Sequence, residues 1–422
     1  MQSLDTQQAQ PKLAFTRREN AKVEDGEHIT KLFAALVALF GLLLLTVYGL
    51  DILRNGGTDF DRLIVGRDFV NMYFGGSLIA DGHFATLADQ EAYLTSLREW
   101  AGPDYLVHYW SYPPLMFPPA EGFAALPYPI ALALWTGLGG AAIVGALRYA
   151  GLRSGWAALI CLSPAGLVNL LAGQNGFFTA ALTVTGLVAT LHQQSVLAGA
   201  SWTLLTIKPH LGVLILPLLI CRRETRVFLI GALLFLVFLG ITIFVYGPDS
   251  WLAFFDRTLP QQRWVAETWS GGLEALMPTF FMQVRSMGLG LTSAYALHIC
   301  GATLTVLLLI RAWPERSAAP REWLAWLVCG TYLILPYSFI YDLVIFQILL
   351  ALWHDAPERM FRTDRAMLAR YLWIALWILP LLSILIMAII GVQVLPFVLL
   401  ALLWRLGCPQ LNCSSAVRVT PC

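Results

Sequence analysis

Five short polar clusters interrupt an otherwise apolar sequence, and they hold the side chains that could do chemistry. The first cluster runs from Gly66 to Gly76 and contains Asp68 and Asn71. We expect it to begin a short helix on which Asp68, Asn71 and Gly75 share one face, because they are spaced at i, i+3 and i+7. A carboxylate held there could accept a proton from a substrate hydroxyl. The alternative is an Asp that only stabilises the helix dipole from the first turn.

Two further clusters offer neutral polar groups. The run His108–Pro114 combines an imidazole with aromatic rings that carry polar tips, including Tyr112, before two prolines that stiffen the chain. The turn Gly173–Gly176 places the amides of Gln174 and Asn175 between two apolar runs. We expect these groups to bind substrate. A structural plug and a tight turn with satisfied amides are the alternatives.

The fourth cluster, Lys208-Pro209-His210, breaks an apolar stretch that runs from 196 to 221. Proline disfavours the helical conformation at the residue before it, so we expect the helix to break at Lys208. A lysine at membrane depth is costly and normally faces a cavity or an anion. Lys208 and His210 are therefore predicted to bind an anionic group, with a structural ion pair as the alternative.

The fifth cluster, Pro336–Asp342, forms a turn between two apolar runs and offers a second carboxylate, Asp342, beside Tyr341. Both side chains are candidates for substrate binding. Asp342 could equally be a residue that stabilises the start of a helix.

The elements that must position these clusters are membrane helices. Hydrophobic residues make up 58% of the 422 residues and charged residues 13%, and the mean hydropathy is +0.68. A soluble globule of this composition would be covered in apolar surface, so we predict an all-α, polytopic transmembrane protein with about 11–12 membrane segments. The apolar runs lie at 31–53, 122–147, 156–172, 176–191, 196–207, 209–221, 227–246, 289–311, 322–336, 339–353, 371–390 and 393–405.

The distribution of arginine predicts the orientation of these segments. If both termini are cytosolic, the cytosolic loops receive twelve arginines and the opposite side seven, although the opposite loops are longer. This bias is typical of positive-inside topology. The cytosolic set is Arg148, Arg153, Arg222, Arg223, Arg226, Arg311, Arg316, Arg321, Arg359, Arg362, Arg365 and Arg370.

In this orientation all five clusters fall on the outer side and are expected to line one outward-facing cavity. Two long outward loops, 54–121 and 247–288, are rich in aromatic residues, which is typical of helices lying in the headgroup layer. We divide the chain into a cytosolic N-terminal tail (1–30), one membrane domain (31–405) and a disordered C-terminal tail (406–422). The polar N-terminal stretch is too long and too acidic for a signal peptide.

Several classes of protein and site are disfavoured. The net charge of +1 offers no concentrated basic face for a nucleic acid. The seven cysteines form no disulfide framework, and neither they nor the histidines have the spacing of metal ligands. We therefore expect no metal site and no nucleic-acid partner.

A carboxylate, a cation with a neighbouring imidazole, amides and aromatic rings together suit a phosphate bonded to a sugar. Sugar transfer from a lipid phosphate needs a base for the acceptor hydroxyl and positive groups for the departing phosphate. Asp68 can be the base, and Lys208 and His210 can hold the phosphate. The remaining candidates for substrate binding are Asn71, His108, Tyr112, Gln174, Asn175, Tyr341 and Asp342.

The order of these motifs resembles glycosyltransferase family 87, the bacterial polyprenyl-phosphate-dependent mannosyltransferase-like proteins. The resemblance covers roughly residues 30–350. The motifs that carry it are Asp68 to Gly76, Asp81-Gly82, Tyr112-Pro113-Pro114, Gly173-Gln174-Asn175, Ala198-Gly199 and Lys208-Pro209-His210-Leu211.

The resemblance implies a GT-C-like helical membrane fold whose first outward loop supplies the catalytic Asp, a role that falls on Asp68. It also implies a polyprenyl-phospho-sugar donor, often mannose, and inversion at the anomeric carbon, without a nucleotide-sugar site or an obligatory metal. The expected partners are the bilayer, this donor and a lipid or glycan acceptor, and the expected location is the bacterial cytoplasmic membrane with the active site facing the periplasm. The chain departs from better-known members at Tyr341-Asp342, in a region that carries histidine in those proteins.

Two other functions remain as alternatives. A lipid or glycan transporter or flippase would also use a buried lysine and broken helices, but it would be expected to show internal repeats and polar sites on both sides. A scaffold protein of envelope synthesis would tolerate the loss of single polar clusters. Neither repeats nor a polar cluster of comparable composition in the cytosolic loops is found in the sequence.

Overall fold

The computed structural model describes residues 17–59, 61, 63–268 and 272–407. Within these ranges the chain is helical, and the β-structure consists of one isolated bridge between Thr58 and Ile64. The predicted all-α class is confirmed. The predicted N-terminal tail overlaps the first helix, which begins at Arg17, whereas residues 1–16 and 408–422 of the two tails lie outside the described residues.

The first part of the chain contains one long helix, a set of short helices and a second long helix. The helices are α1 (Arg17–Arg54), α2 (Arg67–Ala80), α3 (Phe84–Ala88), α4 (Gln90–Ala101), α5 (Phe117–Ala124) and α6 (Tyr128–Tyr149). A 3₁₀ turn, Pro114–Met116, leads into α5. Helices α2 to α5 therefore form the first long loop predicted from the sequence.

The middle of the chain is more broken. It contains α7 (Gly155–Cys161), α8 (Pro164–Ala172), α9 (Gly176–Leu191), α10 (Ser195–Leu204), α11 (Ile215–Arg222) and α12 (Thr225–Tyr246). Helices α7 and α8 meet at a bend of 70°. Two 3₁₀ turns, Leu205–Ile207 and Pro209–Gly212, separate α10 from α11.

The second long loop forms α13 (Asp249–Ala253), a π-helical turn (Phe254–Thr258), α14 (Leu259–Thr268), α15 (Leu273–Leu276) and α16 (Phe280–Ser286). The last part contains α17 (Leu291–Arg311), α18 (Pro320–Ile334), a 3₁₀ turn (Ile340–Leu343), α19 (Val344–Leu352), α20 (Pro357–Phe361), α21 (Ala366–Ile390) and α22 (Leu395–Leu406). Each of the twelve apolar segments predicted from the sequence is thus a helix or a broken pair of helices.

Five helices in the described part of the chain are long and apolar enough to cross a membrane: α1, α6, α12, α17 and α21, with the bent pair α7–α8 as a sixth candidate. Their outer faces suit lipid rather than water. Helix α12, for example, leaves Phe244 90% exposed and Leu233 61% exposed. The other six predicted segments form shorter helices, and among them α9, α18 and α19 are largely buried in the bundle.

Two apolar cores hold the arrangement together. The larger joins α9, α18, α19, α21 and α22, and it includes the fully buried Trp323 and Phe346. The smaller lies within the first long loop and joins α2, α4 and α5 to α6 through Phe69, Leu97 and Trp135. The first long loop therefore has a core of its own, which fixes α2 against the membrane helices.

Candidate active site

A cavity of about 1050 Å³ collects residues from all five polar clusters. This confirms that the clusters converge. The predicted site residues that line it are Asp68, Asn71, His108, Tyr112, Gln174, Lys208, His210, Tyr341 and Asp342. Asn175 does not line the cavity but lies behind it, where its Nδ2 donates to the hydroxyl of Tyr112 at 3.3 Å.

Asp68 lies in the first turn of α2, as the sequence predicts, yet α2 has no side-chain cap at its start. The Asp68 carboxylate instead accepts a hydrogen bond from Gln174, with Nε2 and Oδ2 2.9 Å apart. Gln174 is 106 residues away in the sequence and belongs to the third cluster. The side chain of Asp68 is 26% exposed, so it is held in place and still open to the cavity.

The preceding residue, Arg67, does not neutralise Asp68. Its guanidinium group is held by Asp59 at 2.6 Å and by Asp61 at 2.5 Å. The Tyr105 hydroxyl donates to the backbone carbonyl of Arg67. These contacts fix the start of α2 and keep the Arg67 charge paired with carboxylates other than Asp68.

His108 faces Asp68 from the second cluster, with Nε2 and Oδ1 3.8 Å apart. Burial lowers the pKa of His108 below its usual 6.5, and this outweighs the opposing effect of the Asp68 carboxylate. A neutral imidazole at this distance is neither an ion-pair partner nor in hydrogen-bond contact with Asp68. The gap leaves Asp68 available to another group.

Two glycines in the third cluster explain how separate segments meet. Gly173 ends α8 with φ of 65°, and a Cβ there would lie 2.6 Å from the Cβ of Phe69 on α2. Gly176 begins α9, and a Cβ there would lie 2.3 Å from the backbone carbonyl of Tyr341. The turn is therefore in close contact with both the first and the fifth cluster.

The helix breaks at Lys208 as predicted, since Lys208 has φ −127° and ψ 76° between two 3₁₀ turns. Its Nζ is 2.7 Å from Oδ1 of Asp342 and 4.8 Å from the ring centre of Tyr341. The side chains are 9% and 1% exposed. This is the ion pair that the sequence left as an alternative, and it joins the fourth cluster to the fifth; Lys208 lines the cavity with its charge already paired.

The structure gives Asn71 a supporting role that the sequence did not predict. Its Nδ2 donates to the backbone carbonyl of Tyr109 at 3.0 Å, and its Oδ1 accepts from the Tyr93 hydroxyl at 2.5 Å. Both ends of the amide therefore have partners within the protein. Asn71 borders the cavity, but its bonds hold the loop that carries His108.

The sequence reasoning missed the contribution of the second long loop. Helix α14 and the π-helical turn before it supply Phe254, Gln261, Gln262, Arg263 and Val265 to the cavity wall. The aromatic residues of this loop predict only an interfacial position. The sequence feature that indicates this contribution is the polar run Gln261-Gln262-Arg263, because an aromatic belt alone does not require three consecutive polar residues.

The described residues contain no group of three or more His, Cys, Asp or Glu side chains that could hold a metal ion. The carboxylates at the cavity, Asp68 and Asp342, are instead engaged with an amide and an ammonium group.

In a comparison with protein families, the model of glycosyltransferase family 87 matches residues 110–336. Searches of curated proteins and of solved structures find no match. The matched region contains Tyr112, Gln174, Lys208 and His210, whereas Asp68 lies before it. Because the match covers more than half of the chain, this protein belongs to glycosyltransferase family 87 and is a membrane glycosyltransferase.

Proposed function

We propose that the protein transfers a hexosyl residue, with mannosyl as the first candidate, from a polyprenyl phosphate to a hydroxyl of a lipid or glycan acceptor. The observation that carries this proposal is the position of Asp68. It is the cavity carboxylate that is held by a neutral amide rather than by a cation, with no salt bridge to a lysine or arginine among the described residues. Such a carboxylate can accept a proton, whereas the Asp342 carboxylate is neutralised by Lys208.

In the proposed reaction Asp68 takes the proton of the acceptor hydroxyl, and the acceptor oxygen attacks the anomeric carbon of the donor. The bond between that carbon and the phosphate oxygen breaks, and the polyprenyl phosphate leaves with its electron pair. Attack opposite the leaving group inverts the anomeric configuration. The donor is already activated by its phosphate, so no cofactor is proposed.

Lys208 and His210 are proposed to stabilise the leaving phosphate. Both line the cavity with Asp68 but come from a different segment. The acceptor hydroxyl can therefore lie at Asp68 while the donor phosphate lies at Lys208 and His210. Lysine has three N–H donors, and one is used by Asp342, so the others can reach a phosphate oxygen. Asp342 is then a positioning residue for Lys208.

We further propose that the cavity opens on the periplasmic face of a bacterial cytoplasmic membrane. The arginine bias predicts this orientation. Reporters fused near Arg153, Arg223, Arg316 and Arg365 should read as cytosolic, and reporters near Gly82 and Glu267 as external. A cytosolic reading at Gly82 would contradict the placement.

The donor is tested with purified full-length protein in detergent. We expect transfer from one member of a panel of short polyprenyl-phospho-hexoses to a synthetic glycoside acceptor, with an inverted product, and no transfer from nucleotide sugars. Transfer from a nucleotide sugar alone would overturn the proposed donor. Movement of an intact lipid-linked sugar across vesicles without transfer would favour a transporter.

A further inference from the structure

Gln261 differs from the three other buried glutamines that the structure describes. It lies on α14, lines the cavity and is 5% exposed. Its amide nitrogen is buried and has no hydrogen-bond partner in the part of the chain that the structure describes. Buried polar groups are nearly always hydrogen-bonded, so an unpartnered one at a cavity wall points to a ligand.

Three other buried glutamines show what a structural role looks like here. The Nε2 atoms of Gln283 and Gln347 donate to the backbone carbonyls of Gly391 at 2.9 Å and Trp377 at 3.1 Å. Gln393 donates in the same way to the carbonyl of Glu274. Each of these amide nitrogens links two separate helices or loops, although the Oε1 of Gln347 has no partner among the described residues. Gln261 makes no such link, although it is buried to a similar degree.

Helix α14 is well placed to hold a ligand-binding side chain. Arg263 is 2.7 Å from Glu267, which also accepts from the Tyr295 hydroxyl, and this ties one face of α14 to α17. Trp264 lies against Tyr109 in the loop that carries His108, with ring centres 6.4 Å apart. Gln261 and Val265, spaced at i and i+4, share the face that borders the cavity.

The chemistry of this wall favours a neutral ligand group over a phosphate. Arg263, the cation on α14 that reaches the cavity, is paired with Glu267, and the neighbouring lining residues Gln262, Val265 and Ala266 are uncharged. Phosphates are bound best by cations, whereas a neutral amide matches a hydroxyl, which can both accept and donate. Lys208 and His210, the site proposed for phosphate, belong to a different segment.

We propose that the Gln261 amide turns towards the cavity and binds a hydroxyl group of a hexose ring there, and so contributes to sugar recognition. The identity of the ligand as a sugar rests on the proposed function. The role of the amide rests on the position of Gln261 at the cavity wall and on its unpartnered nitrogen. The hexose can be that of the donor or that of the acceptor. Both present the same hydroxyl chemistry to the amide.

The test compares wild type with Gln261→Leu, in full-length protein purified in detergent. Three probes are titrated: a short polyprenyl-phospho-mannose, the same polyprenyl phosphate without sugar, and octyl α-mannoside. We expect about a 10-fold loss of affinity for one sugar-bearing probe, the size expected from one lost hydrogen bond, and less than a 2-fold change for the sugar-free phosphate. Loss on the phospho-mannose assigns the contact to the donor, and loss on the mannoside assigns it to the acceptor.

Gln283→Leu is the matched control, since it removes a buried amide that is bonded within the protein. We expect it to lower the melting temperature, whereas Gln261→Leu should leave that temperature unchanged or raise it, because an unpartnered buried donor is removed. Unchanged affinity for both sugar-bearing probes in Gln261→Leu, or equal losses on all three probes, would overturn the proposal. A different result is possible: wild type transfers no sugar, yet Gln261→Leu still binds one sugar-bearing probe about 10-fold more weakly than wild type. That result would overturn the proposed reaction but support the Gln261 contact.

Discussion

The two ends of the helical bundle both carry charged groups but use them differently. Helices α9, α12 and α18 each connect the end that holds the cavity to the end that is rich in arginine. At the arginine-rich end, guanidinium groups donate to backbone carbonyls near helix ends. The pairs are Arg316 with Arg222, Arg311 with Gly407, Arg362 with Leu406, and Arg405 with Phe361 and Arg362.

At the cavity the polar side chains bond to one another across long sequence separations, as in Gln174 with Asp68 and Lys208 with Asp342. Arginines that satisfy the free carbonyls of helix ends stabilise the fold. The pairs at the cavity instead position Asp68 and Lys208, which line it. Charge alone therefore does not mark the site, because side chains also pair at the arginine-rich end, as in Arg321 with Asp355. What distinguishes the pairs at the other end is that they border a large cavity.

The largest effect on stability is expected from breaking the Lys208–Asp342 pair. Lys208→Met should lower the free energy of unfolding by about 3 kcal/mol, because it leaves the 1% exposed Asp342 carboxylate buried without a cation. The double variant Lys208→Met/Asp342→Leu should recover most of that stability, since a buried ion pair can be replaced by apolar groups. Denaturant titration in detergent measures both.

The same pair of variants separates structure from binding. If Lys208 also contacts the donor phosphate, the stable double variant should still bind a polyprenyl-phospho-sugar at least about 10-fold more weakly than wild type. Wild-type affinity in the double variant would limit Lys208 to its structural pair with Asp342.

A smaller loss is expected at the opposite end. Arg405→Met removes the hydrogen bonds to the carbonyls of Phe361 and Arg362, at 3.0 and 2.7 Å, and should cost about 2 kcal/mol of stability. The turnover of the folded protein and its donor affinity should remain at wild-type values. A changed kcat or KM in this variant would show that the two ends are coupled and would contradict this expectation.

The smallest effect concerns pH. Because burial lowers the pKa of His108 in the folded protein, the unfolded chain takes up the proton first as the pH falls below about 6.5, and stability decreases. His108→Gln removes this contribution. Between pH 7.5 and 5.5 the melting temperature of the variant should fall less than that of wild type, by an amount equivalent to about 1 kcal/mol or less. Parallel curves would show that His108 keeps an ordinary pKa.

Local sequence patterns predicted the elements of this fold well. Hydropathy located the twelve helical segments, and the residue before Pro209 marked the break in the helix. The arginine bias predicted that the five clusters lie on one side of the membrane, and residues of all five line one cavity. The membrane orientation itself stays a prediction. These features depend on residues close together in the sequence, or on a property summed over whole loops.

The partners of individual side chains could not be predicted in the same way. Asp342 is 134 residues from Lys208, and their pairing depends on how closely α9 and the fifth cluster pack at Gly176. The type and spacing of Asn71 predict a substrate ligand, but they do not predict that its amide bonds to Tyr93 and to the Tyr109 carbonyl. Gln261 was missed because its lack of a partner is a property of the packed structure alone.

Turnover by Asp68→Asn tests whether Asp68 is the catalytic base, because Asn keeps the shape of the side chain and removes the proton acceptor. In the transfer assay with the active polyprenyl-phospho-hexose, turnover should fall by about 100-fold or more while donor affinity changes by less than about 2-fold. Asp89→Asn is the matched control, since Asp89 caps the start of α4 through the amide of Ala92. It should cost at most about 1 kcal/mol of stability and leave turnover near wild type. Near-normal turnover in Asp68→Asn would contradict the assignment of Asp68 as the base.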